Sequence, residues 1–89
     1  MMERNHYRII LNPYMTEKAS LLLSPDENKL EFIVRRNANK SEIKEAVEKI
    51  YSVKVASVNT KIRNDGKHAI VKLTKNYLAE DVASEIGMF

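Results

Sequence analysis

The sequence predicts an α+β domain in which a small four-stranded antiparallel sheet is covered by helices, in the order β-α-β-α-β-β-α. Three observations predict it: short runs of alternating apolar and polar residues, one strongly amphipathic helix, and an Asp-Gly pair between the last two runs. Because 89 residues suffice for one hydrophobic core, residues 1–89 are predicted to form a single domain. Its first residues, 1–8, are polar and aperiodic and are predicted to form an extended arm.

The first half of the chain is predicted to contain two strands with a short helix between them. Residues 9–11 form a strand that stops before Pro13, because proline has no N–H to donate. Thr16 is a suitable N-cap for a helix of about two turns. Residues 28–36 then alternate apolar and polar side chains, which predicts a second strand with one face on the core.

The central helix has the clearest sequence pattern. Asn39 can cap its N-terminus, and Glu42, three residues later, can return the hydrogen bond in a capping box. Apolar residues then follow at helical spacing in a single stripe: Ile43, Ala46, Val47, Ile50 and Tyr51. This stripe predicts that one face of the helix packs on the sheet.

A hairpin and a closing helix are predicted to complete the fold. Residues 53–63 and 68–74 are strands joined through residues 64–67, where Asp-Gly can adopt positive φ at low cost. The apolar residues that begin the first of these strands are out of phase with the later ones, which predicts a bulge or bend near Ala56. A short closing helix that stops at Gly87 is predicted from three apolar residues spaced four apart: Leu78, Val82 and Ile86.

The charged residues are distributed unevenly along the chain. The formal net charge is only +3, but residues 61–75 carry five Lys and Arg against one Asp, and residues 76–89 carry three acidic residues and no base. With the predicted strands side by side, the face away from the helices carries a basic and hydrogen-bonding set: Arg35, Asn59, Lys61, Arg63, His68 and Lys72. Such a surface favours a polyanionic partner, most commonly one with phosphates, and the alternative is a solvated charged face.

A second basic group precedes the central helix. Arg35, Arg36 and Lys40 surround the helix start at Asn39, where free N–H groups and the helix dipole favour an anion. The alternative interpretation is an ordinary polar loop between strand and helix. Since the predicted sheet face shows no exposed aromatic side chain, RNA backbone and shape contacts are expected there, and not base stacking.

The composition argues against an enzyme. The chain has no cysteine, which excludes disulfides and thiolate chemistry and suits a reducing cytoplasm. Two glycines are too few for a phosphate-binding loop, and the two histidines, His6 and His68, are not spaced to share a metal. We therefore predict no catalytic residue, no metal site and no cofactor. Apolar runs of at most three residues also predict no membrane insertion.

Four segments resemble motifs of the large-subunit ribosomal protein L-twenty-three (L23) family. Residues 12–18 (NPYMTEK) resemble its opening Pro-x-x-Thr/Ser-Glu-Lys, and residues 38–44 (ANKSEIK) resemble its Ala-x-Lys-x-Glu-Ile-Lys segment. Residues 53–60 are similar to its strand after the central helix, and residues 69–73 (AIVKL) to its late strand. The resemblance runs in order over nearly the whole chain, from about residue 9 to residue 89.

The resemblance implies a structural, non-enzymatic protein of the cytoplasmic ribosome that binds large-subunit rRNA beside the exit of the nascent-chain tunnel. Implied partners are the rRNA, the neighbouring ribosomal protein L-twenty-nine, and the signal recognition particle or other tunnel-exit factors, for which Glu17 matches the docking position. Bacterial members carry a long hairpin extension, whereas the turn at residues 64–67 is short here. The chain therefore resembles the archaeal-type form.

The charge pattern and the resemblance together give an expected set of RNA contacts. Thr16 and Lys18 are expected near the tunnel rim, and Asn59 and Thr60 are expected to hydrogen-bond RNA oxygens. The remaining contacts are expected with the RNA backbone: Arg35, Arg36, Asn39, Lys40, Lys61, Arg63, Lys67, His68 and Lys72.

Three other functions remain open on the residues alone. The chain could be an RNA-binding module outside the ribosome, or a protein-interaction domain that uses its helix faces. A small phosphotransfer or acylphosphate enzyme is a more distant alternative, because the chain lacks a glycine-lined anion loop.

Overall fold

A four-stranded antiparallel sheet organises the chain. The computed structural model describes the backbone of residues 6–86 and the side chains of residues 8–10 and 12–86. In chain order the elements are α1 (His6–Ile9), β1 (Ile10–Pro13), α2 (Glu17–Ser20), a 3-10 turn (Leu21–Leu23), β2 (Lys29–Val34), α3 (Lys40–Tyr51), β3 (Val55–Arg63), β4 (Gly66–Leu73) and α4 (Ala79–Glu85). The strand order is β1-β2-β4-β3 and every neighbouring pair is antiparallel, which confirms the predicted α+β fold.

The core lies on one face of this sheet, under α3. Because β2 and β3 both pair antiparallel with β4, they run parallel to each other, and α3 makes the crossover between them. The predicted alternation is confirmed in both inner strands, whose core-facing residues are buried: Leu30, Phe32, Val34, Ala69, Val71 and Leu73. Phe32 also stacks on Tyr51 from the last turn of α3, with ring centroids 5.6 Å apart.

The predicted start of α3 is confirmed in detail. The Glu42 backbone N–H donates to Asn39 Oδ1 at 2.8 Å, and the Asn39 backbone N–H donates to Glu42 Oε1 at 3.0 Å, which completes the capping box. On the face of α3 that packs on the sheet, Ile43, Ala46 and Val47 are fully buried. Thr16 is likewise confirmed as the N-cap of α2, since its Oγ1 accepts from the Ala19 N–H at 3.0 Å.

The predicted bulge in β3 is also present, because the register with β4 shifts between Val55 and Ser57 and leaves Ala56 unpaired. The hairpin turn differs from the prediction. Arg63 pairs with Gly66, so the loop is Asn64-Asp65, and of these loop residues and Gly66 only Gly66 has positive φ, at +133°. The Asp-Gly pair therefore supplies one left-handed residue rather than two.

Three boundaries differ from their predictions. Strand β1 runs to Pro13, which an edge strand tolerates because its outer N–H groups need no partner. The predicted arm over residues 1–8 lies mostly outside the described residues, and where it is described, His6–Ile9 forms a short helix. In α4 the core residues are Ala79, Val82 and Ala83, whereas Leu78 is an exposed N-cap. The predicted stop at Gly87 lies outside the described residues.

A buried asparagine connects the start of β2 to the start of α4. Asn28 is 7% exposed and has φ of +52°, a conformation that asparagine adopts more readily than most residues. Its Nδ2 donates to the carbonyl of Tyr77 at 2.8 Å, and its Oδ1 accepts from the Ala79 N–H at 2.7 Å. Asn28 therefore caps α4, in place of a side chain from Leu78.

Replacing this asparagine should destabilise the whole domain. Asn28→Ala removes the cap and leaves the buried Ala79 N–H without its partner, so we expect the free energy of unfolding to fall by about 2–4 kcal/mol. Asn37→Ala, at an exposed turn, is the matched control and should change it by less than about 0.5 kcal/mol. Urea denaturation measures both, and equal effects would show that the Asn28 hydrogen bonds contribute little.

Candidate nucleic-acid interface

The sheet face away from α3, called the open face below, carries the side chains that alternate with the core residues. On this face Lys61 of β3 pairs with His68 of β4, and Asn59 pairs with Ile70. Lys61, Asn59 and Arg63 are exposed, as expected for an edge strand that faces solvent. The open face is therefore basic along β3.

The segment from Tyr14 to Leu22 adds a second wall and makes a groove on the open face. The Tyr14 backbone N–H donates to the Glu31 carbonyl at 2.9 Å, which fastens the beginning of this segment to β2. The resulting groove has a volume of about 250 Å³. It is lined by Tyr14, Thr16, Lys18, Ala19, Leu21, Leu22, Glu31, Lys61, Arg63 and Ile70. Four of the predicted RNA contacts, distant in sequence, are thus brought together: Thr16, Lys18, Lys61 and Arg63.

The groove combines cations with apolar surface. Lys18, Lys61 and Arg63 are exposed, and within residues 6–86 no hydrogen bond or ion pair holds their side chains. The Tyr14 ring and the Ile70 side chain line the same groove, as does Leu21, which is 70% exposed. Cationic groups that are not already paired can bind phosphates, and the apolar strip can contact a sugar or a base.

His68 is not part of this exposed surface. Its side chain is completely buried, so the prediction that it contacts RNA is wrong: the imidazole cannot reach a phosphate. Its Nδ1 lies 2.7 Å from Glu31 Oε2, and its Nε2 lies 2.7 Å from Asp65 Oδ1. The Tyr14 ring stands nearly perpendicular to the imidazole, with centroids 4.6 Å apart. The hydrogen bond from His68 holds the pKa of Asp65 below its ordinary value.

Near the start of α3 the three predicted basic side chains are exposed, whereas the nearby Lys67 already makes hydrogen bonds. Arg35, Arg36 and Lys40 are exposed and available. Lys67 extends toward them, but its Nζ donates to the carbonyl of Ala38 at 2.6 Å and more weakly to that of Arg36 at 3.4 Å. These hydrogen bonds give Lys67 a structural role that its sequence pattern did not reveal. The predicted capping box gives Asn39 a structural role as well.

Two other predicted contacts lie away from the groove. Thr60 pairs with the buried Ala69, so it faces the helix side of the sheet, opposite to Asn59. Lys72 is on the open face but pairs with Lys29 near the far end of β4, about 13 Å along the strand from His68. A single RNA segment in the groove would not contact Thr60.

The residues that sequence reasoning missed are Tyr14, Glu31 and Asp65. The open face was expected to lack aromatic side chains, but Tyr14 lies on it because it continues the β1–β2 register opposite Glu31. Period-two alternation did place Glu31 on this face, yet only 5% of it is exposed. Asp65 was noticed only as a turn residue. The available signal was the spacing of three residues between Asp65 and His68 across the turn.

No group of three or more His, Cys, Asp or Glu side chains within the described residues could hold a metal ion. Nor does the described part of the chain contain a helix long and apolar enough to cross a membrane.

Comparison with known proteins gives a consistent family. The family model described as Ribosomal protein L23 matches residues 8–77. Over 81 residues the chain is 49% identical to the large ribosomal subunit protein uL23 of Thermoplasma acidophilum. The alignment covers 91% of this chain and 95% of that protein. The chain is 46% identical over 80 residues to the uL23 of Picrophilus torridus, covering 90% and 96% of the two chains. Both relatives are archaeal, in agreement with the predicted archaeal-type form.

The contact between Asp65 and His68 should make stability depend on pH in the acid range. Because the folded-state pKa of Asp65 lies below 3.8, its ionised form stabilises the fold above that value, and this contribution is lost as the pH falls through the lowered pKa. We expect Asp65→Asn to be less stable than the natural chain at neutral pH, with the difference shrinking below about pH 4. Urea denaturation at several pH values measures this, and a difference that grows on acidification would contradict it.

Proposed function

Because the chain belongs to the ribosomal protein L23 family and is a structural component of the large ribosomal subunit, we propose that its open face binds large-subunit rRNA beside the exit of the nascent-chain tunnel. The observation that carries this proposal is the groove in which Lys18, Lys61 and Arg63 surround an apolar strip. As a member of this family, the protein is a component of the cytoplasmic ribosome and not an enzyme, as the sequence predicted.

The groove suits an RNA backbone better than a small anion. Its cations lie on separate elements, α2 and β3, so they can neutralise successive phosphates along a strand rather than enclose one. Asn59, exposed on β3 beside Lys61, can donate to a phosphate or a 2′-hydroxyl oxygen. Tyr14 and Ile70 offer apolar contact to a sugar or base between those phosphates.

A second RNA contact is proposed at the start of α3. Arg35, Arg36 and Lys40 are exposed there, on the connection that Lys67 fixes through the carbonyls of Arg36 and Ala38. Because Arg63 and Arg35 both lie at the same end of the sheet, the two contacts can be continuous along one RNA surface. Lys72 would then contact a more distant part of the RNA.

Docking of other macromolecules is assigned to a residue of α2 that does not line the groove, although its sequence neighbours Thr16 and Lys18 do. We propose that the exposed Glu17, at the first position of α2, contacts the signal recognition particle or other tunnel-exit factors, and that L-twenty-nine is the neighbouring protein. Support comes from its exposure and from the family resemblance of residues 12–18. Its carboxylate also interacts favourably with the helix N-terminus, so a docking role must be separated from a capping role.

Loss of groove cations should lower rRNA affinity and its dependence on salt. For the double variant Lys61→Gln/Arg63→Gln we expect the slope of log affinity against log salt to decrease by roughly one unit per lost phosphate contact. The matched control is Lys44→Gln/Lys49→Gln, which removes the same charge from the exposed side of α3. A salt-titrated filter-binding assay with purified large-subunit rRNA measures both.

The same assay tests the identity of the RNA. An unrelated structured RNA of similar length should bind more weakly near physiological salt. Equal, steeply salt-dependent binding to both RNAs would indicate only a basic surface and contradict the proposed function. If the slope of log affinity against log salt is unchanged in the groove variant, the RNA must contact another part of the protein.

Glu17→Ala should separate docking from assembly. The variant is expected to enter large subunits normally and to reduce the affinity of those subunits for the signal recognition particle. Sedimentation of reconstituted subunits measures incorporation, and a binding titration measures docking. Glu80→Gln, which removes an exposed acidic residue from the first turn of α4, is the control for loss of one negative charge near a helix start. Failure to assemble would assign Glu17 a structural role.

A further inference from the structure

We infer that His68 is a positioning residue: a buried imidazolium, held between Glu31 and Asp65, that fixes the β3–β4 turn and thereby places Lys61 and Arg63 on the open face. These three residues, Glu31, His68 and Asp65, are called the His68 triad below. The part of the inference that concerns RNA rests on the proposed function. The part that concerns the charge of His68 and the placement of the turn does not.

The protonation state follows from hydrogen-bond geometry. Each ring nitrogen of His68 lies 2.7 Å from a carboxylate oxygen, and an ionised carboxylate only accepts hydrogen bonds. With both carboxyl groups ionised, both nitrogens donate, and the ring is an imidazolium. In a neutral imidazole one nitrogen would present a lone pair to a carboxylate at that distance, and the contact would be repulsive.

The two carboxylates differ in burial, and this decides which contact breaks first. Glu31 is 5% exposed, so without its partner it would be a buried charge that water does not compensate. The Asp65 side chain is 51% exposed and can exchange His68 for water at low cost. If His68 loses one proton, the remaining N–H stays with Glu31 and Asp65 is released into solvent.

Other charges around His68 act in both directions, because the carboxylates favour an imidazolium and the neighbouring cations oppose it. Lys61 pairs directly with His68 across the two strands on the same face, and Arg63 lies close enough to Asp65 to contribute to its lowered pKa. On the side of β2 the charged neighbour is Glu31, and above the ring Tyr14 excludes water. Lys67 directs its Nζ to the carbonyls of Arg36 and Ala38 instead. Two carboxylates therefore face three positive charges, those of the imidazolium and the two groove cations, which leaves a local net charge of +1.

Release of Asp65 affects the groove because the turn is short. Asn64 and Asp65 form the whole loop, and Arg63 immediately precedes it. A turn that is no longer anchored lets the end of β3 fray, since β3 is an edge strand with a partner on one side only. Arg63, and to a lesser degree Lys61, then lose their fixed positions, and ordering them on RNA costs affinity.

Nuclear magnetic resonance tests the triad without RNA. On the natural protein at about pH 5, where ordinary carboxyl groups are ionised, we expect two exchange-protected ring N–H signals from His68. In Asp65→Asn, weaker protection of the Nε2–H signal and faster amide exchange at Asn64 and Gly66 should occur together. A single N–H signal in the natural protein, or turn amides that do not respond in the variant, would overturn the inference.

The direction of a change in RNA affinity tests the part of the inference that concerns RNA. Asp65→Asn removes a negative charge near the groove, so charge alone predicts tighter RNA binding. A turn held by a weaker, neutral hydrogen bond to His68 instead predicts weaker binding, by roughly three- to tenfold. Asp26→Asn removes the same charge from an exposed turn at the opposite end of the sheet and should leave affinity equal or slightly higher. Stronger binding by Asp65→Asn would overturn the positioning role.

The two failures can be told apart. If the natural protein does not bind large-subunit rRNA in the salt-titrated assay, the proposed function is contradicted, while the resonance experiment still decides the protonation of His68 and the anchoring of the turn. If RNA binds and Asp65→Asn does not weaken it, the proposed function stands and the positioning role is wrong.

Discussion

The pairing of β4 with strands on both sides is the constraint on which the rest of the structure depends. Since side chains alternate along a strand, the register that buries Ala69, Val71 and Leu73 under α3 also directs His68 and Ile70 to the opposite face. A slip of one residue would exchange these sets and place a histidine in the apolar core. The hydrophobic face thus fixes the position of the polar one, and the RNA-facing groove inherits its geometry from the core.

The open face is only partly a surface, because its middle is buried under Tyr14. Glu31 and His68 lie in this buried part as a hydrogen-bonded pair, which is the form in which titratable side chains are tolerated away from water. The cations at the margin, Lys18, Lys61 and Arg63, keep their hydration and remain available. The buried side chains are thus hydrogen-bonded to each other, and the cations that can bind phosphate lie at the edges of the groove, where a polyanion can reach them.

Local sequence patterns predicted what depends on periodicity and failed where a distant segment intervenes. The phase change between Val55 and Val58 was sufficient to locate the bulge at Ala56, and the spacing from Asn39 to Glu42 was sufficient for the cap of α3. By contrast, alternation gives the face of His68 but not its exposure, which depends on Tyr14, 54 residues earlier in the chain. The structural role of Lys67 was likewise invisible, because its acceptors are backbone carbonyls that every loop possesses.

Counting basic residues therefore overestimates how many side chains can bind nucleic acid. Donors that already make hydrogen bonds within the protein must be subtracted. Lys67 and Lys61 have the same formal charge and lie six residues apart, but Lys67 already donates to two carbonyls and would lose those bonds on turning to a phosphate. Lys61 has no such bond within the described residues and gives up only hydration. The larger share of the salt-dependent affinity should accordingly come from Lys61, although both residues fit the same sequence pattern.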